Sequence, residues 1–186
     1  MVYLTTLWLP ILLSAVVVFV ASSILHMVLK YHRSDYKKLP NEESLLAALR
    51  SQRLAPGTYP FPYCASSTEM KSPAMLEKYK QGPVGILTVI RSGPPAMGKG
   101  LLLWFIFCVV ISIFAAYVAG RTLSAGTAYL AVFRIAGTVA FVGYSAGNLV
   151  DSIWKGQPWS TTIKHIFDGL VYALLTAGTF AWLWPR

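Results

Sequence analysis

Long apolar runs alternate with short polar breaks along this chain, except for one polar stretch that is much longer than the rest. Four runs, Tyr3 to Leu29, Leu101 to Gly120, Ala128 to Val150 and Ile163 to Trp184, are uninterrupted enough to read as membrane helices. At about 1.5 Å of rise per residue, roughly twenty residues cross ~30 Å of hydrocarbon. The first run has no basic start, exceeds the apolar core of a signal peptide, and ends on Lys30, Arg33, Lys37 and Lys38, so it is expected to stay as an anchor. The last run begins with Lys164, His165 and Asp168, polar groups that sit near one end, where insertion costs less than at mid-bilayer. The pattern predicts an all-α membrane protein, a four-transmembrane-helix bundle with a basic cytoplasmic loop containing short amphipathic helices. It divides into a first transmembrane helix over 1–29, the loop over 30–99 and a three-helix transmembrane region over 100–186.

Within the loop, Asn41 followed by Glu42 and Glu43 has the form of a helix start, and Leu45, Leu46, Leu49 and Leu54 then share one face of a helix ending near Pro56-Gly57. Pro56 to Pro62 reads as extended loop. Ser72-Pro73 supplies an N-cap and first helical residue for a second helix that stops at Gly82, and Val84 to Ile90 is a β-like run.

Composition agrees with lipid as the solvent: 55% of residues are hydrophobic and 12% charged, where soluble domains carry about 25% charged residues. The net charge of +9 follows the spans rather than forming a nucleic-acid stripe, since no basic row is interleaved with base-stacking aromatics. Eleven Lys and Arg lie between Lys30 and Lys99, and Lys155 and Lys164 flank the last connection, whereas the opposite side holds only Arg121 and Arg186. The positive-inside bias therefore puts the 30–99 loop in the cytoplasm and both termini outside. The two cysteines, Cys64 in the loop and Cys108 in an apolar run, imply neither a disulfide framework nor a zinc site.

Small residues recur at intervals of four: Ser112, Ala116 and Gly120, then Gly143 and Gly147, then Gly169, Ala173 and Ala177. Such faces let helix backbones approach closely, so the partners expected are the lipid bilayer and either a protein partner or a second copy, through these faces.

Two motif matches fail on their chemistry. Gly93 to Gly100 approaches a phosphate-binding loop, but Gly100 lacks the hydroxyl that would meet magnesium, and Pro94 and Pro95 remove amides, leaving a turn into the second span. Gly143-Tyr144-Ser145-Ala146-Gly147 fits G-x-S-x-G, yet no strand precedes it and its spacing departs from that of rhomboid-type serine proteases, so helix packing explains it better.

A more coherent set is polar. Asn148 and Asp151 close the third span and Lys164, His165 and Asp168 open the fourth, at similar depth on the cytoplasmic side, either as a capping and ion-pair network or as an ion or proton site. His26 reaches a comparable depth in the first span; membrane histidines mostly serve only as hydrogen-bonding groups, so no cofactor is expected, the alternative being that His26 and His165 ligate haem or, with Asp168, a metal. Arg134 sits in the outer half with every Asp and Glu of the chain in the inner half, and must contact headgroups, carbonyls or an acid from a partner.

The run Trp159-Ser160-Thr161-Thr162, then Phe167-Asp168-Gly169-Leu170-Val171-Tyr172 and Thr176-Ala177-Gly178-Thr179, resembles a family of uncharacterised bacterial inner-membrane proteins of about this size, as do the Gly93 to Gly100 turn and Ala115-Ala116-Tyr117. The resemblance implies a multi-pass bacterial inner-membrane setting and no activity. The polar residues being few, the chain is expected to be a non-catalytic accessory or interaction subunit. The alternatives are a small transporter or proton pathway through the Asp/His cluster, and a haem-binding or hydrolytic membrane enzyme.

Overall fold

Three helical stretches, Leu4–Val28, Met97–Thr122 and Tyr129–Lys155, are long and apolar enough to cross a membrane. The computed structural model describes residues 1–186 and is mostly helical. In chain order the elements are α1 (Trp8–Ser23), α2 (Glu42–Ser51), β1 (Gly57–Phe61), α3 (Ser67–Met70), α4 (Pro73–Gln81), β2 (Gly85–Val89), α5 (Met97–Thr122), α6 (Tyr129–Lys155) and α7 (Trp159–Trp182). They form two compact units, one of Met1–Tyr36 with Ala96–Arg186 and one of Lys37–Pro95.

In the larger unit, α7 packs against α6 and α1, and α5 against α1 and α6. Small residues make these contacts close. Ser112, Ala115, Ala116 and Ala119 of α5, Ala136 and Ala140 of α6, and Gly169, Ala173 and Ala177 of α7 are all buried. A Cβ added at Gly120 would stand 2.6 Å from the Val2 carbonyl oxygen, so only glycine lets the N-terminal segment lie there, with Val2 N donating to Gly120 O at 2.8 Å. Gly147 has open space around it, whereas Gly143 abuts Ile111. The small-residue faces read from the sequence are thus largely covered by the chain's own helices.

Polar side chains tie the helices at defined heights. The Ser14 hydroxyl of α1 and the Ser112 hydroxyl of α5 lie 2.9 Å apart, and Trp104 Nε1 donates to Ser22 Oγ at 2.7 Å. Each serine also bonds its own helix backbone, which satisfies hydroxyls in an apolar interior. At one end the two termini and the α5–α6 connection meet, since Gly126 N donates to Pro185 O at 2.9 Å and Trp184 Nε1 to Ser124 O at 3.0 Å. At the other end α6 stops at Gly156, whose left-handed backbone (φ 72°) turns the chain into α7. There Ser152 and Thr162 hydroxyls lie 2.5 Å apart across the turn.

In the smaller unit α4 follows the loop reading, whereas α2 stops at Ser51, short of the end expected near Pro56-Gly57, so Leu54 lies outside it. Asn41 caps α2, accepting from Ser44 N at 3.2 Å, and none of the residues of α2 is buried. Ser72 caps α4, which begins at Pro73 and ends before Gly82. The stretch expected as loop after Pro56 is instead strand β1, paired antiparallel with β2 from Gly57 opposite Val89 to Phe61 opposite Gly85. A two-stranded sheet consists of edges only, so Pro60 breaks no interior ladder, and cross-strand pairs such as Tyr59 with Leu87 form. The chain is mostly helical, as expected, and this pair adds one small sheet to the loop, its strands lying far enough apart in sequence that neither run showed its partner.

Candidate metal centre

The first span ends in one wide helical turn, Ile24–Val28, closed by Leu29 N donating to Ile24 O at 3.0 Å. Such turns, one residue wider than α, recur at functional sites. Leu29 is extended (φ −82°, ψ 114°), which stops the helix, and Lys30–Asp35 return as a 3₁₀ turn packed on α7. His26 precedes the break and His32 follows it. In an unbroken helix, residues six apart would point about 240° apart around the axis. The break instead stacks the two imidazoles with ring centres 4.5 Å apart and planes within 10°.

His165 on α7 lies beside both, its ring centre 5.1 Å from that of His32 and 6.5 Å from that of His26. One turn along α7, Asp168 is almost fully buried (2% exposed) and aims Oδ2 at the histidines, 2.8 Å from His32 Nε2 and 3.9 Å from His26 Nε2. One donor atom from each of His26, His32, His165 and Asp168 lies within 4.8 Å of the others. The chain contains three histidines in all, and every one is in this cluster.

The groups behind the cluster hold it in orientation. His32 Nδ1 lies 2.8 Å from Asp35 Oδ2, and His26 Nδ1 lies 3.1 Å from the Ser22 carbonyl oxygen. In His26 a proton on Nδ1 hydrogen-bonds outward and leaves Nε2 for an ion, whereas in His32 Nε2 faces Asp168 Oδ2 and presents a lone pair only when the ring's one proton sits on Nδ1 towards Asp35. The Tyr31 hydroxyl donates to Asp168 Oδ1, leaving Oδ2 for the cluster. Asp35 accepts in turn from Lys164 Nζ at 2.7 Å and Thr161 Oγ1 at 3.2 Å, and Lys164 also donates to the Tyr31 carbonyl at 2.9 Å.

The charges follow from these contacts. Burial raises the Asp35 carboxyl, but hydrogen bonds from Lys164 and His32, with the Lys164 charge beside it, outweigh burial and hold the group down at about 2. Burial first, then the Asp168 carboxylate it donates to, pushes the Tyr31 hydroxyl well above its ordinary range, so it remains a donor.

Two clefts reach the cluster. One, of about 380 Å³, is largely apolar and runs past Met27, Met97, Leu101 and Trp104 to His165 and Asp168. The other, of about 360 Å³, is lined by polar groups including His32, Asp35, Gln157 and Thr161. His26 and His165 line both, so the imidazoles stand between an apolar and a polar approach.

The chain matches no protein-family model, no curated protein and no solved structure with which it was compared. Its chemistry is therefore read from the donor set alone.

Of the residues singled out by sequence, His26, His165 and Asp168 converge, and Lys164 stands one layer behind them on Asp35. Asp151 does not join them: on the exposed last turn of α6 it pairs with Lys155 at 2.7 Å. Asn148 donates back to the Tyr144 carbonyl at 3.1 Å, and its side chain reaches only the wall of the apolar cleft. Ser145 is buried without a hydrogen-bond partner and lies against Gly169, so no base activates it. Arg134 is exposed on α6 and makes no ion pair.

His32 and Asp35 escaped the sequence reading because they lie past the span, where the chain looked like the start of a solvated loop. A signal existed in the spacing His26, His32, Asp35, in which two imidazoles and a carboxylate fall within ten residues in a chain with three histidines in all. Nothing in that spacing reveals the reversal at Leu29.

Proposed function

We propose that this protein is a four-span membrane protein that holds a first-row transition metal ion, zinc being the simplest case, at one end of its helical bundle through His26, His32, His165 and Asp168. The observation that carries the proposal is the convergence of these four donors within 4.8 Å of one another. Around an ion at ~2.0–2.1 Å, tetrahedral donors stand roughly 3.3 Å apart, so side-chain adjustment of an ångström or so closes the site. Three imidazoles and one carboxylate form a borderline-soft set that suits zinc, iron or copper better than magnesium or calcium. The Asp35–His32 pair and the Ser22 carbonyl behind His26 are the outer hydrogen bonds that metal-ligating histidines ordinarily make.

A single ion fits better than haem. Two axial histidines point nitrogen to nitrogen across a macrocycle, whereas His26 and His165 lie face to face, their planes within 23°.

In this reading α7 is the fourth crossing, with its polar first turns at the membrane surface, and the Lys30–Lys99 basic segment supports a metal centre on the cytoplasmic side of a bacterial inner membrane. Both termini then face outward. An accessory role remains compatible, with the metal centre as its active or structural part.

Elemental analysis of the protein purified in mild detergent tests the proposal. About one equivalent of zinc, iron or copper per chain is expected, falling to background in Asp168→Asn and His165→Ala. Wild-type protein that stays metal-free after exposure to each ion would sink the reading.

A further inference from the structure

The two clefts at the imidazoles differ in what a cation meets on the way in. The polar cleft, of about 360 Å³, is lined by His26, His32 and His165 but not by Asp168, whereas the apolar cleft reaches Asp168 and lacks His32. The other residues of the polar cleft include Asp35, Tyr36, Gln157 and Thr161, all of which carry side-chain oxygen. The apolar cleft instead offers Met27, Met97, Leu101 and Trp104. Tyr36 is 87% exposed, which gives the polar cleft an open rim. The Asp168 side chain is 2% exposed against 44% for His26, so the centre opens on its imidazole side.

Hydration chooses between the two approaches. A divalent ion in water holds about six waters, which at ~30 Å³ each occupy roughly 180 Å³, and the polar cleft is larger than that. Stripping this shell among methionine, leucine and tryptophan side chains leaves the charge unsolvated, which is the most costly way to move an ion. A cleft walled by oxygen-bearing residues lets the ion keep its water until the imidazoles displace it.

We propose that the metal centre is an exchangeable site, loaded and unloaded through the polar cleft by a hydrated divalent cation from the aqueous phase, with no ion traffic through the apolar cleft. The inference rests on the metal reading above and deepens it. A purely structural ion needs no such opening, whereas an ion that is sensed or handed on requires one.

The test uses the full chain with single cysteines. Cys64→Ser removes the partly exposed thiol, and Cys108 is buried. In that background Tyr36→Cys and Gln157→Cys each put a thiol on the polar cleft, and Met97→Cys puts one on the apolar cleft. Each variant is capped in detergent with a cationic or an anionic thiosulfonate, checked by intact mass and reconstituted in lipid nanodiscs. Stopped flow then follows zinc uptake by the metal-free protein and zinc loss to a hydrophilic chromophoric chelator. In Tyr36→Cys and Gln157→Cys the cationic cap should slow uptake at least about threefold relative to the anionic cap at low salt, because charge at a cleft mouth steers ions. That difference should shrink at about 0.15 M salt. In Met97→Cys the two caps should give equal rates. Zinc bound but uptake and loss indifferent to the caps on the polar cleft, or a larger effect in Met97→Cys, overturns the polar route and leaves the metal reading standing. Failure of the unmodified protein to bind zinc overturns the metal reading, and the route goes with it.

Discussion

His32 Nε2 lies 2.8 Å from Asp168 Oδ2, although 136 residues separate the two along the chain. One comes from a six-residue turn after the first span and the other from the last helix, and the contact exists because the chain reverses at Leu29. Flanked by carboxylates on both ring nitrogens, His32 either donates from both as an imidazolium or gives up one proton and presents a lone pair to a metal. The two states exclude each other, so proton and metal compete for one atom.

Metal affinity should therefore fall as pH falls. Ligating histidines must be neutral, so protons displace the metal. Competition with a chromophoric chelator, followed from about pH 8 to 5.5, should show binding that weakens as the pH falls. A flat profile across that interval would argue that histidines are not the ligands.

Asp35 acts through His32, not on the ion. Replacing it by Asn turns the charged acceptor that orients the ring into a neutral amide, and impairing such a partner costs roughly 10–100-fold in metal affinity. Asp35→Asn should show that loss with the helical content unchanged by circular dichroism. Tyr31→Phe, which deletes the donor to Asp168 Oδ1, should weaken binding in the same direction by a smaller factor.

The Asp35 carboxyl sets an acid limb of stability. Its value in the folded protein, about 2, lies below the ordinary 3.8, so the folded state favours the ionised form. The contribution is fully present above pH 3.8 and is lost as pH falls from there towards 2. Thermal melts of the metal-free protein should lose stability over that interval in wild type and show a shallower slope in Asp35→Asn.

Helix packing makes a separate prediction. A Cβ at Gly169 would run into the Ser145 hydroxyl, so Gly169→Ala should destabilise by about 1–3 kcal/mol through overpacking. Ser145→Ala removes a buried hydroxyl that has no partner and should cost little or even stabilise. In the double variant part of the Gly169→Ala loss should be recovered, which denaturation of all four proteins in one detergent would measure.

Topology can be read with the native cysteines. Cys64 is partly exposed and Cys108 is buried. A membrane-impermeant maleimide should label Cys64 in inverted vesicles and not in intact spheroplasts if the 30–99 loop is cytoplasmic. The reverse pattern would turn the orientation over and carry the metal centre to the outer side.

Much of the architecture is written locally. Apolar runs long enough to span lipid, the caps Asn41 and Ser72, the stop at Gly82, and the polar residues at the start of α7 depend on neighbours within a few positions, and linear reading reaches them. His26, His165 and Asp168 were legible for the same reason, since depth along a span follows from counting residues. The pairing of β1 with β2, by contrast, joins segments whose partners are set by chain closure. The centre itself was decided only in three dimensions. Whether His32 meets Asp168 and whether Lys164 reaches Asp35 both depend on the direction of one reversal at Leu29 and on which face α7 presents. Spacing along a chain specifies distance along a helix axis; it says nothing of the rotation about that axis once the helix has broken, and that rotation is what brings the third histidine and its carboxylate into place.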